Sequence, residues 1–169
     1  MAQRWFEEMP ATGIEGLIIK GAAQTYDGGQ RLWSKVKHRN VLDGVCGAVI
    51  GSRTQPTAIV AGLVFDGRLQ IVGRSSVLSS KTGRELTRYL RPPTAAHPWP
   101  EEISQGALDR FSKDKGPVRL TLVEPLVVEV SADVAWSGRS FRHALRFLRV
   151  RPELDPDGVG IPSMLGDQG

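Results

Sequence analysis

The apolar pattern begins at residues 13–20, where Ile14, Leu17, Ile18 and Ile19 stand between glycines and close on Lys20, a β-branched run that predicts a buried strand. Residues 24–30 carry Asp27-Gly28-Gly29, the chemistry of a tight reversal, and lead into a second predicted strand at 32–37. Period two along it puts Trp33, Lys35 and Lys37 on one face and Leu32, Ser34 and Val36 on the other. Short glycine-broken strands are expected at 45–51, 58–65 and 69–72, the last after the hairpin signal Asp66-Gly67. Thr82 and Glu85 have capping-box spacing, Leu86, Tyr89 and Leu90 share a face, and Pro92-Pro93 ends the helix so predicted. A second helix is expected over 101–111, then apolar strands at 118–123 and 126–130 and an arginine-studded strand at 141–150.

About five strands with one helix between the third and fourth predict a mainly β chain with one or two short helices, built on a small closed or nearly closed barrel of the OB type. No internal repeat is present. At 169 residues, 40% hydrophobic and 24% charged, the chain has the composition of one globular domain with a smaller piece attached. A single cysteine, Cys46, excludes an internal disulfide, and no Cys-x-x-Cys pair exists to hold zinc. A reducing, cytoplasmic setting is expected, since residues 1–10 lack a leader's apolar run and no stretch reaches about 18 apolar residues.

The net charge of +4 is unevenly spread. Arg31, Lys35, Lys37 and Arg39 lie together without an acid, as do Arg139, Arg142, Arg146, Arg149 and Arg151, and both stretches favour polyanions. Residues 156–169, acidic and rich in Gly and Pro, predict a flexible solvated tail. Lys35 and Lys37 repel one another unless an anion sits between them, for which a phosphate is suited; the other reading is a strand edge guarded by lysines. Glu15 is either a strand-entrance residue or a ligand, and Lys20, five positions on and on the opposite face of an unbroken strand, can simply reach water. The glycine clusters lack the ending of a P-loop or the helix of a dinucleotide fold, and no histidine pairs with Cys46 in a nucleophile pattern. Trp5, Trp99 and Trp136 are expected to pack or to lie exposed.

Taken in order, Glu15-Gly16-Leu17-Ile18-Ile19-Lys20, then Tyr26, Gly29 and Arg31, then Trp33-Ser34-Lys35-Val36-Lys37 resemble the fourth and fifth nucleotidyltransferase motifs of ATP-dependent DNA ligases. The run from Phe141 to Pro152 resembles the region of the family's sixth motif, and the similarity, nearest to the small bacterial repair ligases, extends to about Asp155. It implies that a lysine attacks the α-phosphate of ATP, that AMP passes to the 5′-phosphate of nicked double-stranded DNA, and that a 3′-hydroxyl displaces it, with Mg2+ assisting. Carried over residue by residue, Lys35 and Lys37 hold the α-phosphate and Glu15 is the metal-linked carboxylate. Lys20, Arg31, Trp33, Arg149 and Arg151 border the nucleotide, and Arg139, Arg142 and Arg146 meet DNA.

Two departures qualify the resemblance. The sixth motif ends in an acid and a lysine, whereas Glu153 is followed here by Leu154. The first motif, Lys-x-Asp-Gly, is absent: Asp27-Gly28, Asp43-Gly44, Asp66-Gly67 and Asp157-Gly158 all lack a lysine two residues before the aspartate. The expectation is therefore the end of an adenylation domain at 1–39 and an OB domain at 40–155. Such a chain, truncated, split or a remnant, is inactive alone and needs an N-terminal ligase half. The alternative is an OB-fold nucleic-acid-binding module without catalysis, and a third reading is an RNA ligase or capping enzyme, which share the two motifs.

Overall fold

A computed structural model of the chain describes residues 2–8, 14, 16–25, 29, 32–37, 39–108, 116–133, 136–137 and 139–162. A seven-residue helix α1 (Ala2–Glu8) precedes two short strands, β1 (Gly16–Ile19) and β2 (Ser34–Lys37), which pair antiparallel as a separate two-stranded ladder. The larger body is built from β3 (Arg39–Gly51), β4 (Pro56–Phe65), β5 (Arg68–Arg74), β8 (Thr121–Asp133) and β11 (Arg146–Val150) in the order β11-β8-β3-β4-β5. A parallel bridge between Ser75 and Leu145 joins the two outer strands, through Ser76 N–H to Leu145 O at 2.8 Å and Leu145 N–H to Arg74 O at 2.9 Å. Numbered by themselves, the five strands run first, second, third, fifth, fourth around the closed sheet, with helix α2 (Ser80–Leu86) between the third and fourth. That is the OB arrangement expected.

Local chemistry sets the turns. Asp66 and Gly67 both take positive φ, 50° and 70°, as a two-residue turn between twisted strands demands. Gly51 (φ 89°) leaves β3 where an added Cβ would stand 2.6 Å from Gln55 O. Inside the barrel, Val45, Val49, Ile59, Leu63, Val72, Val127 and Leu145 are buried, and Leu86 of α2 joins the same core.

Several expectations need correction. The helix is capped by Ser79, whose Oγ accepts from Thr82 N–H at 3.1 Å, not by Thr82; it ends at Leu86, leaving Tyr89 exposed. Residues 102–104 form a strand, β6 (Glu102–Ser104), because Ile103 pairs with Val118 of β7 (Pro117–Arg119); only α3 (Gln105–Leu108) is helical, and 109–115 lie outside the described residues. The strands expected at 118–123 and 126–130 are largely one, β8, in which Pro125 is accommodated at the register shift opposite Cys46 and Ala48. The arginine-rich strand is split into β10 (Ser140–Phe141), paired with β9 (Trp136–Ser137), and β11. The predicted tail stays on the barrel as far as Val159, buried in the core after a 3-10 turn at Pro156–Gly158 that Asp155 caps.

A second apolar cluster lies on the other side of β3, β4 and β5, where Trp99, Leu108 and Leu120 cover Ala48 and Val60. The Trp99 indole lies over two glycines, Gly47 and Gly62, where Cβ atoms would come within 2.8 and 2.6 Å of it, and its Nε1–H donates to Leu69 O at 2.9 Å.

Candidate functional site: a cationic hairpin face against an OB barrel

The β1–β2 register pairs Gly16 with Lys37, Ile18 with Lys35 and Ile19 with Ser34. Directly paired residues point to the same side of a ladder, so Ile18, Lys35 and Lys37 share a face. The next step of that register sets Lys20 opposite Trp33, and the Lys20 ammonium lies 3.9 Å from the indole centroid. Lys20 does not simply run to water; it rests on the aromatic ring, where the π-face attracts it. The face thus offers an indole, an ammonium on it and the exposed Lys35 beside it, a combination suited to a planar base and a phosphate. Glu15 and Arg31 lie outside the described residues.

Lys37 is engaged elsewhere. Its Nζ donates to Asp133 Oδ2 at 2.8 Å, and the Asp133 side chain is 3% exposed. His143 Nε2 stands 3.8 Å from the same oxygen. The two lysines share a strand face, but the ammonium of the second is held at the barrel.

The arginine segment is also more balanced than its sequence suggests. Arg149 donates through Nε and Nη2 to Glu129 Oε2, at 3.1 and 2.8 Å, and Arg151 meets Asp43, Glu129 and Glu153. The hydrogen bond from Arg149 holds the Glu129 carboxyl below its ordinary range, and that from Arg151 does the same for Glu153. Arg139 stands 3.8 Å from Asp66 and over the Phe65 ring, while Arg142 and Arg146 are exposed. Asp133, Glu129 and Asp43 are the partners that reading along the chain misses, and Glu153, singled out there only for the motif ending, joins them. The only signal for the first three was a set of carboxylates on apolar strands, which becomes meaningful once β3, β8 and β11 are laid side by side.

Cys46 is fully buried, its Sγ–H on Ala48 O at 3.4 Å, and burial pushes the thiol up to about 12, so it is no nucleophile. Among the described residues no group of three or more His, Cys, Asp or Glu could hold a metal ion. Glu15, the carboxylate expected beside Mg2+, lies outside those residues. A cleft of about 860 Å³ lined by Val45, Arg68, Gln70 and Asp157 among others contains none of the expected site residues. No helix of the described residues is long and apolar enough to cross a membrane.

No protein-family model matches the chain. It is 31% identical over 173 residues to DNA ligase C of Mycobacterium tuberculosis, covering 92% of this chain and 47% of that protein. It is 33% identical to DNA ligase C2 of Mycolicibacterium smegmatis, covering 91% and 48%. Among solved structures it is similar to the ligase domain of M. tuberculosis LigD, with a TM-score of 0.55 at 27% identity over 95% of this chain and 52% of that one. It is also similar to a mycobacterial DNA ligase D complexed with ATP and MES, with a TM-score of 0.51 at 25% identity over 93% and 50%. The chain spans about half the length of the relatives it matches, and it is like the C-terminal portion of an ATP-dependent DNA ligase in sequence and in fold.

Proposed function

We propose that this chain, DNA-ligase-like over more than nine-tenths of its length, is the C-terminal part of an ATP-dependent DNA ligase that seals nicks in double-stranded DNA during repair or recombination in the cytoplasm. Residues 1–39 are the end of the adenylation domain and 40–155 the OB domain. The observation that carries the reading is the hairpin register: it brings Lys20, Trp33 and Lys35 onto one face, as a nucleotide's base and α-phosphate require. Trp33 and Lys20 orient the nucleotide, Lys35 and Lys37 draw negative charge from its α-phosphate, and Arg149 and Arg151 meet the pyrophosphate as it leaves. Arg139, Arg142 and Arg146 grip the DNA backbone through salt-sensitive contacts.

The lysine that accepts AMP must come from residues outside these 169, since none here lies in Lys-x-Asp-Gly. The hairpin supports this need for a further half: Ile19 and Val36, on the face away from Lys20, Trp33 and Lys35, are 55% and 40% exposed, an apolar area that a covering layer would bury. A binding module without catalysis is the weaker reading. OB folds commonly take nucleic acid on the face of their second and third strands, and in this chain Trp99 covers that face of β4 and β5.

The test is a chimera in which this chain replaces the matching C-terminal portion of M. tuberculosis DNA ligase C. The chimera should seal a nicked duplex, and Lys35→Ala should remove sealing while leaving nick binding within about twofold, because one exposed lysine is a small part of the DNA contact. A soluble, DNA-binding chimera that seals no better than the truncated ligase would leave only the binding module.

A further inference from the structure

Asp133 sits where the chain passes from the hairpin to the barrel. Lys37 ends β2, Arg39 begins β3, and Arg39 is paired in the ladder with Asp133, the last residue of β8. The Asp133 carboxylate, nearly buried, takes the Lys37 ammonium at 2.8 Å and has His143 Nε2 at 3.8 Å on the same oxygen. The ion pair joins residues 96 positions apart and ties the base of the hairpin to the barrel.

A phosphate within hydrogen-bonding reach of Lys37 in this position would lie close to the Asp133 carboxylate, and like charges in so poorly solvated a place repel. One ammonium cannot serve both anions equally well. From this geometry we infer that Asp133 is a positioning residue: it stores Lys37 at the junction, and a phosphate ester arriving on the hairpin face competes with it for the ammonium. His143, whose Nε2 stands 3.8 Å from the same oxygen, is near enough to donate a hydrogen bond to it when Lys37 departs. The inference rests on the reading of the hairpin as a phosphate-binding face, and adds to it a contact that phosphate binding must open.

The experiment uses the full chain, AMP as the probe at fixed ionic strength because it carries the base and single phosphate assigned to the hairpin face, and amide hydrogen exchange at the β2–β3 junction as a readout independent of the ligand. Asp133→Asn should bind AMP roughly fivefold more tightly than the parent, as expected on releasing a competing charge pair, and its junction should exchange faster before any ligand is added. Asp157→Asn, with the same change in charge at a distant turn, should do neither. His143→Gln, which leaves Asp133 more dependent on Lys37, should bind AMP at least about twofold more weakly, and it carries the test if Asp133→Asn fails to fold. Equal affinity for the parent and these variants, with AMP bound, overturns the competition while sparing the phosphate-binding face. If neither parent nor variant binds AMP but Asp133→Asn still loosens the junction, the phosphate reading fails and the pair is a structural tie alone.

Discussion

Trp99→Ala separates two roles that the outer face of β3, β4 and β5 could have. The indole is 5% exposed, fills the space above Gly47 and Gly62, and donates to Leu69 O. Truncating a packed aromatic of this kind costs about 3–5 kcal/mol, because the transfer free energy is lost and a cavity is left over two residues with no side chains to fill it. For a chain of this length, each kcal/mol lowers the midpoint by about 2–4 °C, so circular dichroism melting should show a fall of roughly 6–20 °C. Gly62→Ala is the companion: its Cβ would stand 2.6 Å from the Trp99 ring and 2.7 Å from Gln70 O, and a strand carbonyl cannot swing aside. Overpacking there costs about 1–3 kcal/mol. Well below its midpoint, the Trp99 variant should bind nicked duplex as the parent does, because the DNA contact is assigned to the arginines of 139–146 and not to this covered face. A loss under about 1 kcal/mol would refute the packing argument, and a strong loss of DNA affinity by the folded variant would refute the assignment of the face.

Two further outcomes follow from charge and burial. The Cys46 thiol, pushed up to about 12 by burial, should resist maleimide labelling at pH 8 in the folded chain and react at once in denaturant; rapid labelling of the folded form would contradict its position between β4 and β8. Glu129 is held below the ordinary carboxylate range first by its hydrogen bond from Arg149. A carboxyl lowered in the folded state stabilises fully above its unfolded value, about 4.3, and that contribution is lost as pH falls through the folded value. The stability gap between the parent and Glu129→Gln, read by urea unfolding, should therefore be full at pH 7 and close on the acid side of pH 4.3; a gap that stays constant down to pH 3 would argue against the pairing.

The parts of this molecule written in short-range chemistry were legible. Asp66-Gly67 announced its turn, and the alternation of Trp33, Lys35 and Lys37 announced a shared face, because turns and strand parity depend on adjacent residues alone. Order along the chain, with a helix after the third barrel strand, was enough for the OB topology. What stayed hidden depends on partners far away. The stretch at 101–111 reads as helix by its acids and spacing, yet Ile103 gains a partner in Val118, and a three-residue ladder takes the place of the helix's first turn. Trp99 could not be placed beforehand because its site is made of two glycines, 15 residues apart on neighbouring strands, whose meaning appears only when the strands pair.

Charge counting failed for the same reason, and the failure bears on function. Along the sequence, residues 139–151 hold five arginines and no acid, yet the registers lay out rows across β3, β8 and β11. One row sets Asp43, Glu129 and Arg149 side by side with Arg151 reaching into it, and another sets Arg39 beside Asp133, which Lys37 already occupies. Between them lies Val41–Ser131–Arg146, a row without a carboxylate. Among the described residues, Arg39 and Arg146 are thus cations of this surface that no carboxylate answers, whereas Lys37, Arg149 and Arg151 meet an incoming phosphate only by giving up an acid. On the proposed reading, a polyanion approaching the barrel would first feel the unanswered pair. The held cations would become available only to a phosphate close enough to outbid carboxylates at about 3 Å, so their contribution to the proposed binding would depend on the geometry of the bound ligand more than on the net charge of +4.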